Sequence, residues 1–357
     1  MGGLRAAVFG RDVEANGWPT VSVIMPIRDE AAGLDRAVAS VLVQEYPIPF
    51  DVCLAVGTSD DGTERIADEI AAVDDRVRVV ANPAGVTPTG LNAAIEATGG
   101  QVVVRVDGHS ALSEGYIRRA VETMIRTGAV NVGGRQVPQP ETPFEEAVAA
   151  ATTSWLGTGG ATYRVGGQEG LVDTVYLGVF DRTAGDEVGW FADDLIRNQD
   201  YELNIRLRAA GGEVWFDPEL WVGYRPRGSW RGLARQYYEY GYWKAGVTGR
   251  HPGCARLRQV IPAAFPVVLG MAIGLTLRYR VAGIVPLAYA ATLLVAGAGR
   301  DRRASRTAVA SVLATMHLAW GTGFLRGAMH WLRTRRPRPI TRLVDGRAAS
   351  ATKPSAN

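Results

Sequence analysis

Acidic side chains follow three apolar segments of this 357-residue sequence, and one of them has a histidine close by. They are Asp29 and Glu30 after VSVIMPI, Asp60 and Asp61 within GTSDDGT, and Asp107 with His109 after QVVVRV. A carboxylate and an imidazole two residues apart can face one cation together. Mixed oxygen and nitrogen ligation suits Mn²⁺ or Mg²⁺, with phosphate oxygens completing the shell. Such a metal would stabilise a departing diphosphate. By spacing alone, the acids could equally be solvated turns.

Other kinds of site are poorly represented. The first strand is not followed by G-x-G-x-x-G, and no G-x-x-x-x-G-K-[ST] occurs, so both phosphate-binding glycine motifs are missing. Two cysteines exclude a disulfide scaffold, and four histidines without an H-x-x-x-H pair disfavour a histidine-built zinc site. With 47% hydrophobic and 21% charged residues, the composition is that of a folded protein.

The elements that must position these acids alternate between strand and helix. Short apolar, β-branched runs predict strands, and the segments between them predict helices. The strands are Val21–Ile27, Asp51–Val56, Val77–Val80 and Gln101–Val106, and the helices are Ala31–Gln44, Glu64–Ala72 and Thr89–Ala97. This order predicts a mostly parallel sheet covered by helices on both faces. Ligands bind beyond the carboxyl ends of such strands, so the acidic clusters should converge on one crevice.

Three uncharged windows of 19 residues follow in the C-terminal part: Gln259–Leu277, Val281–Gly299 and Thr307–Leu325. Each is long enough to cross a bilayer, which takes about 20 mainly apolar residues. Buried helices of a soluble domain are the alternative, but such helices usually carry a polar stripe. The third window is the least apolar, since it contains serine, threonine and histidine. We therefore expect two or three membrane helices.

Charge indicates the orientation in the membrane. No apolar run of signal-peptide length occurs near the N-terminus, so residues 1–256 are expected in the cytoplasm of a multi-pass inner (plasma) membrane protein. Arginines flank the first two windows in agreement with the positive-inside rule. Residues 301–357 hold 11 Lys+Arg against two Asp+Glu, and three crossings would place this basic tail outside. A re-entrant or interfacial third segment would keep it inside. Anionic lipid headgroups fit the tail better than nucleic acid.

Six motifs in order over residues 20–250 resemble the family-2 glycosyltransferases of GT-A fold, and more narrowly their membrane-attached succinoglycan-type (ExoA-like) branch. They are VSVIMPIRDE, GTSDDGT, GLNAAI, RVDGH, NQDYEL and RQYYEYGYWK. The resemblance implies a GT-A sheet and a divalent cation, Mn²⁺ or Mg²⁺. It also implies a nucleotide-sugar donor and a lipid-linked or polysaccharide acceptor.

The resemblance also implies roles for individual residues. Asp107 and His109 are expected to bind the metal, and Asp200 is expected to act as the general base. The donor-binding residues are expected to be Pro26, Asp29, Glu30, Ser59, Asp61, Asn92, Arg105 and Asp107. Those on the acceptor and diphosphate side are expected to be Glu202, Gln236, Trp243 and Lys244.

The sequence departs from the family pattern at two places. Val56 and Gly57 stand where relatives usually carry acids that contact the nucleotide base, which leaves the identity of the nucleotide open. Gln199 replaces the usual glutamate before the base. Glutamine cannot titrate, so the proton must go to Asp200.

The resulting hypothesis is an inverting, metal-dependent glycosyltransferase of polysaccharide or glycolipid synthesis. Its domains are expected at 1–19 (extension), 20–228 (GT-A domain), 229–256 (amphipathic interface segment), 257–332 (membrane helices) and 333–357 (basic tail). Two alternatives remain open. One is a sugar transferase to polyprenyl phosphate, and the other is a catalytically silent GT-A binding or scaffold module.

Overall fold

The structure is a computed structural model that describes residue 4 and residues 17–254, 257–297 and 304–334. Most of the predicted N-terminal extension and nearly all of the basic tail lie outside these residues.

Nine strands form one sheet in the part of the chain that is described. They are β1 (Val21–Ile27), β2 (Asp51–Val56), β3 (Val77–Ala81), β4 (Val102–Arg105), β5 (Ser110–Leu112), β6 (Asn131–Pro138), β7 (Gly170–Leu171), β8 (Tyr176–Asp181) and β9 (Val214–Tyr224). Their order is β3-β2-β1-β4-β8-β6-β9-β5, with β7 pairing with β9. The first four strands are mutually parallel. Antiparallel pairs are confined to the second half of the sheet, where β8 joins β4 and β6.

Thirteen α-helices are described along the chain. They are α1 (Leu34–Leu42), α2 (Thr63–Val73), α3 (Thr87–Glu96), α4 (Tyr116–Thr127), α5 (Pro143–Thr152), α6 (Trp155–Thr158), α7 (Thr162–Val165), α8 (Arg182–Val188), α9 (Gln199–Ala209), α10 (Trp230–Arg250), α11 (Leu257–Thr276), α12 (Ile284–Ala296) and α13 (Arg306–Thr334). The prediction of a mostly parallel sheet flanked by helices is confirmed. The strand and helix positions agree with the predicted ones to within a few residues.

Both faces of the sheet are covered, as the alternation of strand and helix requires. On one face, Val23, Met25 and Leu54 pack with residues of α1 and α4. On the other face, Ile24, Cys53 and Val103 pack with residues of α3, α8 and α9. Strands buried on both faces read as continuous apolar runs, which is the pattern of VSVIMPI. Because β1 lies between β2 and β4, its carboxyl end lies in the middle of one edge of the sheet.

A parallel pair of long helices, α10 and α13, packs beside the sheet. Glycines allow the two backbones to approach closely, because a Cβ at Gly241 would lie 2.0 Å from the Trp320 carbonyl oxygen. A Cβ at Gly323 would likewise lie 2.1 Å from the carbonyl oxygen of Tyr238. Close approach of this kind needs small residues at the contact.

The apolar C-terminal windows form helices of different surroundings. Within the described residues, only Arg306–Thr334 (α13) is long and apolar enough to span a membrane, and 39% of its apolar window is buried inside the protein. Ile261–Thr276 and Arg280–Ala296 are shorter apolar helical segments. These two segments, here called the α11–α12 hairpin, expose large apolar side chains along their length, including Ile261, Met271, Leu275, Leu287 and Val295.

Candidate active site

Two loops join at the carboxyl ends of β1 and β2. The carboxylate of Asp61 accepts hydrogen bonds from the backbone N–H groups of Ala31 and Thr63, at 3.0 and 3.1 Å. The hydrogen bond from the Thr63 hydroxyl and those from the backbone lower the pKa of Asp61. Ser59 accepts from the N–H of Asp29 at 3.1 Å. Asp61 and Ser59, predicted as donor ligands, therefore join the two loops that border the crevice.

Gly57 directly follows β2, and it lacks an acidic side chain for a packing reason. A Cβ at Gly57 would lie 3.0 Å from the Cα of Gly85, so any side chain there would push the following loop aside. Arg28 covers the same loop and donates from Nη1 to the Gly85 carbonyl oxygen at 3.0 Å. Arg28 is a residue that the sequence analysis passed over, although it directly precedes Asp29. Its guanidinium adds a positive charge to the crevice edge beside Val56 and Gly57, where the acids expected from the family pattern are missing.

Asp107 and His109 follow β4 directly, at the centre of the sheet edge. His109 Nδ1 lies 2.7 Å from Glu30 Oε1, so Glu30 orients the imidazole. Burial alone would lower the pKa of His109, but the hydrogen bond and charge of Glu30 outweigh it and raise the pKa. For Asp107, burial opposes ionisation, but the charges of Arg105 and His109 outweigh it and keep the pKa of this carboxyl below its usual range.

The donor atoms left open fit a divalent cation. Asp107 Oδ2 and His109 Nε2 have no hydrogen-bond partner among the described residues, whereas Asp107 Oδ1 accepts from Arg105. A histidine that gives Nδ1–H to a carboxylate keeps Nε2 for a metal, which is a common supporting arrangement. Within the described residues, no group of three or more His, Cys, Asp and Glu side chains could hold a metal by itself. The protein therefore offers two ligands, and the remaining ones would come from phosphate oxygens and water.

Arg105 connects the predicted metal ligand with the predicted base. Its side chain is 5% exposed and donates through Nη2 to Asp107 Oδ1 at 2.9 Å, and through Nη1 to Asp200 Oδ1. It also lies over the ring of Phe191, 5.9 Å from the ring centroid. The sequence analysis predicted a donor-binding role for Arg105. In the structure this side chain has two carboxylate partners that are 93 residues apart in the sequence, and its donor-binding role remains a prediction.

Asp200 lies in the first turn of α9, and its side chain is 26% exposed. The preceding Asn198 has a left-handed φ of 64°, and its side chain donates to the carbonyl oxygen of Tyr240 in α10 at 3.1 Å. Arg197 pairs with Glu239 of the same helix at 3.3 Å. The start of α9 is thus fixed to α10, and the Asp200 carboxylate is held on the same guanidinium as Asp107.

Two predicted site residues hold the structure around the crevice through their own polar groups. Asn92 donates to the carbonyl oxygen of Phe191 and to Asp193, both at 2.8 Å, and accepts from the Phe191 N–H. Glu202 is fully buried and pairs with Arg206 at 2.8 Å and His251 at 3.0 Å. Neighbouring protein groups thus engage both side chains, and the donor contact of Asn92 and the acceptor contact of Glu202 remain predictions.

The remaining predicted residues lie at different depths. Pro26 is half-buried near the end of β1, beyond the last β1–β4 pair at Ile24, so its missing N–H breaks no pair with β4. Trp243 packs against the apolar cluster that includes Tyr201. The Lys244 ammonium lies 2.9 Å from the ring centroid of Tyr201, and Gln236 is half-buried on the same helix. All three α10 residues thus belong to the helix to which the start of α9 is fixed.

These features define the class of the protein. The parts of a GT-A glycosyltransferase are present. They are a parallel half-sheet of β3-β2-β1-β4, an aspartate with a histidine after β4, and a second aspartate at a helix start. Residues 22–188 match the family model described as Glycosyl transferase family 2, so this part of the chain is a domain of that family. It is an enzyme of the glycosyltransferase class.

Relatives support this assignment over most of the chain. The chain is 29% identical over 320 residues to "Succinoglycan biosynthesis protein ExoA" of Rhizobium meliloti (strain 1021), covering 87% of this chain and 96% of the relative. It is 21% identical over 230 residues to "Dolichyl N-acetyl-alpha-D-glucosaminyl phosphate 3-beta-D-2,3-diacetamido-2,3-dideoxy-beta-D-glucuronosyltransferase" of Methanococcus voltae, covering 62% and 71%. Among solved structures, "Mannosyltransferase PcManGT from Pyrobaculum calidifontis in complex with GDP-Man and Mn2+" has a TM-score of 0.64 at 16% identity and 87% coverage of both chains.

Proposed function

We propose that this enzyme is an inverting, metal-dependent glycosyltransferase that moves a sugar from a nucleotide-sugar to a membrane-held, lipid-linked acceptor in polysaccharide or glycolipid synthesis. The observation that carries the proposal is the meeting of Asp107 and Asp200 on one buried guanidinium, that of Arg105. The carboxylate proposed to bind the metal and the carboxylate proposed as the base are therefore neighbours on one side chain. The name of the Methanococcus voltae relative contains a dolichyl-linked sugar phosphate and supports a lipid-linked acceptor, and the name of the Rhizobium meliloti relative supports polysaccharide synthesis.

Each residue of the crevice has a defined task in this reaction. Asp107 and His109 would hold a divalent cation, which when bound neutralises charge on the donor diphosphate. Asp200 accepts the proton of the acceptor hydroxyl as its oxygen bonds to the anomeric carbon. The bond from that carbon to the diphosphate breaks on the opposite side, so the configuration inverts. Arg105 keeps Asp200 in place before the acceptor arrives.

Two alternatives remain, and one panel of reactions separates them. Purified full-length protein in detergent receives one nucleotide-sugar at a time with Mn²⁺. It is offered either polyprenyl phosphate or a polyprenyl-diphosphate-linked sugar. Transfer to the linked sugar supports the proposal, whereas transfer to polyprenyl phosphate alone would make the enzyme a polyprenyl-phosphate sugar transferase. Donor binding without transfer or hydrolysis for any donor would indicate a silent binding module.

We also propose that the α11–α12 hairpin inserts into the membrane while α13 remains beside the catalytic domain. Counted from Leu257, the 20 residues of α11 would extend about 30 Å, about the thickness of the hydrocarbon layer, and the 13 residues of α12 would extend about 20 Å. The shorter α12 would thin the bilayer around it. The exposed apolar side chains of the hairpin are those that lipid would cover. In contrast, α13 lies along α10, and its residues Val312, Leu313 and Met316 are buried with residues of α5 and α10. Because α10 is in turn fixed to α9, α13 would lie at the membrane surface.

This arrangement gives a two-pass protein whose catalytic domain and basic tail are both cytoplasmic. It corresponds to the alternative in which the third apolar segment, α13, lies at the membrane interface and does not cross the bilayer. In a Cys254→Ser background, single cysteines at Arg278→Cys and Thr334→Cys are labelled with a membrane-impermeant maleimide in intact cells; Cys53 is buried. We expect labelling of Arg278→Cys from outside and of Thr334→Cys only after permeabilisation. Labelling of Thr334→Cys in intact cells would instead mean three crossings.

A further inference from the structure

A half-buried arginine without a carboxylate partner lies close to the catalytic crevice. Arg164 of α7 lies against the phenol rings of Tyr163 and Tyr224, and the hydroxyls of Tyr237 and Tyr240 are near enough to interact with its charge. Its Nη1 donates to the Tyr224 hydroxyl at 3.0 Å, and its guanidinium lies 5.8 Å and 5.7 Å from the ring centroids of Tyr163 and Tyr224. No carboxylate forms an ion pair with it among the described residues. We refer to Arg164 and these four tyrosines as the Arg164 cluster.

Two other enclosed arginines, Arg105 and Arg206, differ from Arg164 in this respect. Arg105 pairs with two carboxylates, and Arg206 pairs with Glu202. A guanidinium carries five N–H donors in a planar fork, and Arg164 makes one hydrogen bond within the described residues. Enclosing a cation without an anion is costly unless the anion is supplied by a ligand. The planar fork matches phosphate oxygens, and phenol hydroxyls can donate to the same group.

The position of the Arg164 cluster points to the source of that phosphate. On one side, Tyr237 belongs to the apolar cluster that α10 shares with α5, α12 and α13. On the other side, the ring of Tyr240 lies 5.6 Å from that of Tyr237, and the Tyr240 carbonyl oxygen accepts from Asn198, two residues before Asp200. The cluster therefore lies between the apolar helices and the base. A phosphate bound here would lie on the path from the apolar helices to Asp200, as the phosphate of a lipid-linked acceptor would.

We propose that the Arg164 cluster binds the phosphate or diphosphate group that joins the acceptor to its lipid. This inference rests on the proposed function. The group is distinct from the donor diphosphate, which Asp107 and His109 face across the crevice. Arg164 acts by binding, and no proton or bond changes at its side chain.

The test measures binding of full-length protein in detergent micelles, with EDTA present so that the metal site does not contribute. The probes are farnesyl diphosphate, inorganic pyrophosphate as the anion without a chain, and farnesol as the chain without an anion. We expect Arg164→Gln to weaken binding of farnesyl diphosphate and pyrophosphate about tenfold or more, because a charge-assisted hydrogen bond is lost. Farnesol binding should not change. The matched control is Arg65→Gln, whose exposed side chain pairs with Glu69 on α2.

A second set of measurements guards against misfolding and against confusion with the donor site. Tyr224→Phe keeps the ring and removes the hydroxyl, and Arg164→Lys keeps the charge but loses the fork. We expect both to weaken farnesyl diphosphate binding less than Arg164→Gln does. Binding of UDP or GDP with Mn²⁺ should be equal in wild type and all variants. Equal loss of nucleotide binding, or unchanged farnesyl diphosphate binding in Arg164→Gln and Tyr224→Phe, overturns the proposal.

The outcomes also separate this inference from the proposed function. If wild type transfers sugar and Arg164→Gln leaves the KM for the lipid acceptor unchanged, the anion site is wrong and the proposed function stands. If wild type shows no turnover but binds farnesyl diphosphate through Arg164, the proposed function fails and the anion site stands.

Discussion

Replacing Asp200 with asparagine separates a catalytic role from a structural one. The two side chains have nearly the same size, and both can accept hydrogen bonds at a helix start. The Asp200 side chain is 26% exposed, and its partner Arg105 keeps Asp107 as a second partner in the variant. A hydrogen bond to a charged group contributes about 1.5–3 kcal/mol. Because asparagine retains an oxygen acceptor, we expect a loss of only about 1–2 kcal/mol in the free energy of unfolding.

The expected loss of activity is larger. A positioned base contributes about 10²–10⁴-fold in rate, which corresponds to about 3–5 kcal/mol of activation free energy. The acceptor proton is transferred as the new bond forms, so the loss should appear in kcat, with donor affinity nearly unchanged. The assay follows radiolabelled sugar transfer to the lipid fraction under donor saturation. Donor affinity is measured separately by calorimetry with a nucleoside diphosphate and Mn²⁺.

Asp193→Asn is the matched control, since Asp193 is a loop acid whose carboxylate accepts from Asn92. We expect Asp193→Asn to keep turnover close to wild type. A rate within about tenfold of wild type for Asp200→Asn, less than about 1.4 kcal/mol of barrier, would refute the assignment of the base. Loss of turnover in Asp193→Asn instead would move the base to that loop.

Other substitutions test the metal site and the helix pair. Asp107→Ala should abolish metal-dependent binding of a nucleoside diphosphate, measured by calorimetry with Mn²⁺, because it removes the hard oxygen ligand; unchanged affinity would rule out this ligand. Glu30→Gln should weaken Mn²⁺ affinity about 10–100-fold, because the carboxylate that orients His109 is lost. The affinity is measured by Mn²⁺ titration with nucleotide present. Equal affinity would show that the Glu30–His109 pair is only structural. Gly241→Ala should lower the free energy of unfolding by about 1–3 kcal/mol in thermal or denaturant melts, because its Cβ has no room against α13. Gly253→Ala, whose Cβ meets nothing within 4 Å, is its control, and similar stability of the two variants would contradict close packing of α10 on α13.

The sheet could be predicted from sequence because its information is local. The predicted β1 and β2 ranges are the observed ones, since buried parallel strands are continuous β-branched runs ended by turn residues. The meeting of acids at one sheet edge also follows from strand direction alone. Thus Asp107, His109 and the loops at Asp29 and Asp61 could be placed near one another before any coordinates were known.

Contacts between distant segments could not be predicted in this way. The pairing of Arg105 with Asp200 depends on where α9 returns to the sheet, which no local pattern encodes. The same holds for Glu202, whose motif position suggested a ligand contact but whose carboxylate is buried against Arg206. Gly57 is a third case: its lack of a side chain reads as a lost ligand in the sequence, whereas in the structure it allows Gly85 to approach.

The three apolar C-terminal segments show that hydropathy and packing in the fold give different information about which helices are exposed. Hydropathy ranks the third apolar segment as the least apolar of the three, yet it forms the longest helix, α13. Glycines and short side chains lower the mean hydropathy of this segment, and these same residues let α13 pack on α10. Among the described residues, length and composition identify α13 as the candidate span, while the hairpin exposes many large apolar side chains.

The rigid path from α13 through α10 to the start of α9 has a consequence for the choice of acceptor. Glycine contacts fix α13 to α10, and Asn198 and Arg197 fix the turn before Asp200 to α10. With the hairpin in the bilayer, the base would then stand at a constant height above the lipid surface. Only an acceptor whose reactive hydroxyl reaches that height could be glycosylated, and a glycan extended by several sugars would carry its end past the base. The enzyme would therefore measure the length of its acceptor and add its sugar at one stage of assembly.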